Sequence, residues 1–168
     1  MIKDFSIFID ESYLDSNYAP LYHHTTTYAF FSIINDNELK KTEIENSYKG
    51  KKIKMVSLTR KKDLDLEHYK PFLDVVIELD TNLLNKKYKI IPYDFFIHSK
   101  KEVRPKSDNS RKEPFEFEEI ILKDIDNIMD YIISVNFKDM SIFDRQIASI
   151  LPILKTNNKI IYKNGKLY

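Results

Sequence analysis

The chain has 168 residues, with 42% hydrophobic and 32% charged side chains, which sets it apart from intrinsically disordered sequences and gives room for one domain, residues 1–168, with roughly 70% of its surface buried. Its 27 Lys and Arg against 26 Asp and Glu leave a net charge of +1, so charge alone neither demands nor excludes a nucleic-acid partner. The absence of cysteine removes disulfides, thiol nucleophiles and cysteine-ligated zinc or iron–sulfur centres, and two glycines, Gly50 and Gly165, are too few for a glycine-rich phosphate loop.

Phe5 to Ile9 alternates in a way that suits a central strand, and it ends abruptly in Asp10-Glu11-Ser12. Tyr13 to Tyr22 reads as a loop. Thr25 to Ile34 is β-branched and aromatic, which predicts a second strand closed by Asn35-Asp36-Asn37. Glu38 to Lys49 has room for a short helix, and Lys51 to Leu58 reads as a third strand. From Lys62 to Leu84 apolar residues recur at threes and fours, so a helix is expected with its body at Pro71 to Leu84. Tyr88 to Ile97 is strand-like, with Pro92 marking a bulge or an edge.

His98 to Pro114 is charged and carries two prolines, the signature of an exposed loop. Phe115 to Val135 has a broad stripe of isoleucines at helical spacing, with Glu116, Glu118 and Glu119 placed to suit a helix dipole. Asn136 to Asp139 is a turn or short strand. Ser141 is placed to cap a last helix from Ile142 to about Leu154, with Pro152 as a kink or a stop. Lys159 to Lys163 and Lys166 to Tyr168 flank Asn164-Gly165, a strong hairpin signal. The expected class is α/β, a mixed sheet flanked by helices with a C-terminal hairpin. No apolar stretch is long enough for a transmembrane helix and the N-terminus lacks the pattern of a secretory signal, so a cytoplasmic protein with no membrane partner is expected.

With thiols and phosphate loops excluded, the chemistry rests on whether acids converge. Asp10 and Glu11 follow the first apolar strand, where open sheets place ligands; an ordinary surface turn would use them equally well. Asp94 interrupts the aromatic run Tyr93-Asp94-Phe95-Phe96, and a charge there needs a partner, a metal or an exposed face. Asp144 sits near a helix start, where it also suits the dipole or pairs with Arg145. Glu78, one expected helical turn from Asp74, is the fourth candidate acid. Three or four such carboxylates can hold two Mg²⁺ or Mn²⁺ ions roughly 4 Å apart, one activating water and one steadying the leaving oxygen of a phosphodiester.

The opening Phe8-Ile9-Asp10-Glu11-Ser12, followed by the hydrophobic Tyr28-Ala29-Phe30-Phe31-Ser32-Ile33-Ile34, resembles the start of the DUF3800 family, with Tyr13 where that family has glycine. The resemblance implies an RNase H-like sheet and a metal-dependent nuclease-type site. On it, Asp10 matches the first-strand aspartate, Asp94 falls where such folds place an acid after the fourth strand, and Asp144 falls where the last acid opens the final helix. Glu11 belongs to the opening motif.

Basic residues are segregated. Lys49 to Lys62 holds seven and no acid, including Lys51, Lys52, Lys54, Arg60, Lys61 and Lys62, and a second group in the later loop includes Arg104. Beside a carboxylate site these would hold a phosphate backbone; alone they are a solvated surface. His23 and His24 are adjacent, so in a strand they point to opposite faces. His98 is a candidate base or a loop cap, and Tyr13, Tyr18 and Tyr22 can stack on a base or anchor an interface. Two functions follow. One is a metal-dependent phosphodiester hydrolase using Mg²⁺ or Mn²⁺ on nucleic acid. The other is a catalytically inactive RNase H-like chain that binds a protein or nucleic-acid partner, such as an inhibitor, an accessory subunit or a homodimer.

Overall fold

The computed structural model describes residues 19–46, 51–63, 73–92, 118–138, 144–163 and 166–167. The expected first strand with Asp10 and Glu11, the segment with Asp94, and the loop with Arg104 lie outside the described residues. The fold is α/β. Strands β1 (Leu21–Thr25), β3 (Thr42–Asn46), β4 (Lys51–Thr59), β5 (Val75–Leu79), β6 (Ile91–Pro92), β7 (Glu118–Ile121), β9 (Ile132–Phe137), β10 (Ile160–Lys163) and β11 (Lys166–Leu167) form one sheet. Its order is β11-β10-β9-β5-β1-β4-β7-β6, with β3 also paired to β4. Short strands β2 (Glu38–Leu39) and β8 (Ile125–Asp126) pair separately. The described helices are α1 (Thr27–Asp36), α2 (Thr81–Lys87) and α3 (Asp144–Thr156). β9 and β10 run parallel, joined across α3, and the other pairs are antiparallel.

Three expectations hold. β4 covers Lys51 to Leu58, α3 covers most of the last expected helix, and Lys163 pairs with Lys166 across the hairpin. Pro152 stays inside α3. It lies on the exposed side with Ala148 and Ser149, so the carbonyl that loses its helical partner there faces water.

Four expectations are corrected. The strand expected at Thr25 to Ile34 is mostly helix α1. Thr27, Phe30, Ile33 and Ile34 are buried at threes and fours, while Tyr28 is exposed. The Thr26 hydroxyl accepts from the Ala29 N–H at 3.1 Å, and Asn37, at φ 50°, closes the helix in the left-handed region. The helix expected at Pro71 to Leu84 is β5 followed by α2. Val75-Val76-Ile77 is the continuous apolar run of a strand buried on both faces, and Asp80 caps α2 by accepting from Leu83 N–H at 3.0 Å.

The helix expected at Phe115 to Val135 is broken into β7, β8, a 3₁₀ turn at Ile128–Asp130 and β9. Its isoleucines are β-branched, which suits strands, and Asn127 at φ 53° lies outside helical backbone in mid-span. The short helix expected at Glu38 to Lys49 is β2 and β3. Here Asp124 accepts from the Lys41 N–H at 2.7 Å and fixes the chain between them.

The core lies on one face of the central strands. Leu21, Val75, Ile77, Leu79, Val135 and Phe137 are at most 1% exposed there. Phe30 of α1 meets Phe137 edge-on, with ring centroids 5.4 Å apart. Asp74 holds α1 to the sheet: its carboxylate accepts from Thr27 N–H at 2.7 Å and from the Thr27 hydroxyl. Asp74→Ala removes both bonds and strands the buried Thr27 hydroxyl. A loss of about 2 kcal/mol is expected, read as a lower urea midpoint at unchanged m-value.

Candidate functional site

Strand register fixes which side chains share a face. Tyr22 of β1 stands between Thr59 of β4 and Glu78 of β5, and Glu78 stands opposite Ser134 of β9. One pair further along, His24, Val76 and Asn136 form a second row. Cross-strand partners project to the same side, and alternate residues along a strand share it. The three central strands therefore carry an apolar core on one face and Tyr22, His24, Glu78, Ser134 and Asn136 on the other.

Within this face, Ser134 is buried and its hydroxyl donates to Glu78 Oε2 at 2.5 Å. Burial raises the Tyr22 phenol above its ordinary pKa, and the negative charges of Glu78 and Asp63 add to the rise. The His24 Nε2 lies 3.1 Å from the Lys61 carbonyl. A carbonyl can only accept, so the proton is on Nε2 and the Nδ1 lone pair is free of it. Burial lowers the His24 pKa to about 4, Lys138 and His23 push the same way, and the Lys61 carbonyl and Asp63 oppose them. The imidazole is thus neutral at physiological pH. Its Nδ1 and the Asn136 Oδ1 are buried without a hydrogen-bond partner among the described residues.

His23 takes the opposite face, as expected of a strand neighbour. Its Nδ1 lies 3.0 Å from the Ser57 carbonyl and so carries a proton. Residues 60–63 leave β4 and bring the Lys61 carbonyl onto His24, and the Asp63 charge acts on both Tyr22 and His24.

The expected site residues separate. Glu78 is brought to the polar face by a central strand rather than by a helix. Asp144 is the first residue of α3. Asp10, Glu11 and Asp94 lie outside the described residues. Among the described residues, no group of three His, Asp or Glu side chains converges to hold a metal ion, so Glu78 contributes one carboxylate.

The basic residues divide as well. Arg60 grips Glu119 through two bonds, Nε to Oε1 at 2.6 Å and Nη2 to Oε2 at 3.0 Å, with only 12% and 4% of the two side chains exposed. Its Nη1 also donates to the Ala19 carbonyl and to the Thr81 hydroxyl, which itself donates to Ala19 at 2.6 Å. Arg60 is therefore a clamp between β4, β7 and α2. In the register of the pair, Lys54 stands opposite Glu43, Lys52 opposite Glu45 and Lys51 opposite Asn46.

Sequence reasoning passed over Ser134 and Asn136. Their signal is the alternation Ile133-Ser134-Val135-Asn136-Phe137, a period of two that straddles the end of the expected helix at Val135 and runs into the expected turn or short strand. No protein-family model matches the chain, and no curated protein matches it. No helix among the described residues is long and apolar enough to cross a membrane.

Proposed function

We propose that the chain is a metal-dependent phosphodiester hydrolase, nuclease-like, in which clustered carboxylates bind Mg²⁺ or Mn²⁺. The observation that carries this reading is Glu78. A carboxylate in a central strand, partly buried beside Tyr22 and Ser134, has a restricted geometry suited to a hard cation. The segment whose Lys61 carbonyl meets His24 also carries Lys62, and this proposal uses the two lysines to hold a phosphate backbone. The remaining ligands in this proposal are Asp10, Glu11, Asp94 and Asp144, on the DUF3800 resemblance and its RNase H-like site.

Highly purified protein is expected to cleave labelled DNA or RNA only with Mg²⁺ or Mn²⁺ present. Glu78→Gln keeps an oxygen for the Ser134 hydroxyl but loses the charge. A fall in rate of at least about 100-fold is expected, the scale of several kcal/mol of metal-stabilised charge. Asp10→Asn should abolish both Mn²⁺ binding and cleavage. Cleavage that survives both substitutions would sink the proposal. Protein that neither binds Mn²⁺ nor cleaves would favour the inactive binding protein instead.

A further inference from the structure

Ser134 meets Glu78 at an irregular point of the sheet. From Val75 to Glu78, strand β5 pairs residue for residue with Phe137 to Ser134 of β9; then the register shifts, and Leu79 pairs with Ile132. Ile133 is the extra residue, a bulge beside the Glu78–Ser134 pair, and it is exposed. A bulge bends its strand and re-aims the side chains next to it, and bulges gather near functional sites. Here the neighbouring Ser134 hydroxyl donates to Glu78 Oε2 at 2.5 Å. Ser134 is only 3% exposed, so water competes little for that hydroxyl.

The bond distinguishes the two oxygens of the carboxylate: Oε2 is tied to the hydroxyl and Oε1 is not. Turning the group to give both oxygens to one ion would break a charge-assisted bond to a buried donor. Glu78 therefore favours binding through a single oxygen. Ions differ in what they ask of a carboxylate. Ca²⁺ takes roughly six to eight oxygens in a flexible shell, often two from one carboxylate, whereas Mg²⁺ demands a near-ideal octahedron and keeps several waters. Mn²⁺ shares the octahedral preference. We infer that Ser134 is a positioning residue: it holds Glu78 as a one-oxygen ligand and so selects Mg²⁺ or Mn²⁺ over Ca²⁺. This rests on the hydrolase reading, in which Glu78 is a metal ligand, and adds the ion selectivity of that centre.

Ion binding by the full chain tests the inference, with Mn²⁺ followed by electron paramagnetic resonance and Ca²⁺ by its competition for the same site. Wild-type protein should prefer Mn²⁺. Ser134→Ala should weaken Mn²⁺ binding at least about tenfold and leave Ca²⁺ binding equal or tighter, so the preference falls. Ser134→Thr keeps the hydroxyl and should restore the preference. A serine that merely supported the fold would weaken both ions alike. If circular dichroism shows that Ser134→Ala does not fold, Ser134→Cys, a weaker donor of similar size, carries the test and should also lower the preference. Glu78→Gln separates the inference from the reading beneath it. Mn²⁺ binding that ignores Glu78→Gln overturns both. Mn²⁺ binding that Glu78→Gln weakens, with a preference over Ca²⁺ that the alanine and cysteine variants leave unchanged, overturns the role of Ser134 and leaves Glu78 a ligand.

Discussion

Glu119→Ala is expected to cost about 3–5 kcal/mol of unfolding free energy, a large share of what holds a domain of this size together. The cost comes from what is left behind. The Arg60 guanidinium is only 12% exposed and would lose both carboxylate bonds, while its bonds to the Ala19 carbonyl and the Thr81 hydroxyl are to neutral groups. Arg60→Ala takes both guanidinium bonds from the Glu119 carboxylate, which is only 4% exposed.

The double variant Arg60→Met/Glu119→Leu should be more stable than either single variant, because it buries no unpaired charge. Thr81 still donates to the Ala19 carbonyl at 2.6 Å, so removing Arg60 does not orphan that oxygen. Urea unfolding of the four proteins measures the difference. Single variants that cost under about 1 kcal/mol would mean that the pair is solvated in practice.

Arg60 also shows where sequence reading stops. In the linear order it is one of seven basic residues with no acid among them, which suggests an open patch. Its partner is 59 residues away on β7, and Glu43, in register with Lys54, is on β3. Charge balance in a sheet is decided across strands, and register cannot be read from a single strand. The same limit explains the misplaced helices. Ile120, Ile121, Ile125, Ile128 and Ile132 fit a helical stripe, but β-branched residues spaced by threes and fours fit a meander of short strands as well. Asn127, turning at positive φ, decides between the two.

What was legible was local. Asn164-Gly165 between two short strand-like runs gave the hairpin, and the β-branched and apolar residues of β4 gave that strand. Glu78 was legible as a residue but not in its setting. Its neighbours Tyr22 and Ser134 come from strands 56 residues away on either side, and only pairing makes them one row.

Acid should weaken the fold through His24 in a defined window. In the unfolded chain this imidazole takes up a proton near its ordinary pKa of 6.5; in the folded, metal-free protein it does so only near about 4. Between those values the unfolded chain binds more protons, so stability falls as the pH drops from about 6.5 to about 4. Above this window both states are neutral, and below it both are charged, so no further loss arises from this group. The full effect is on the order of 3 kcal/mol.

Other groups titrate over the same range, so the quantity to measure is the difference between the wild-type protein and His24→Asn. Both should be unfolded in urea from pH 7.5 to pH 4 with a chelator present. The wild type should lose stability relative to the variant as the pH falls. A difference that does not change with pH would mean that the folded imidazole protonates freely. Two neighbours set the width of the window. Lys138 pushes the folded pKa down, so Lys138→Gln should narrow the window; Asp63 holds it up, so Asp63→Asn should widen it. Opposite shifts from these two substitutions would trace the acid response to the polar face itself.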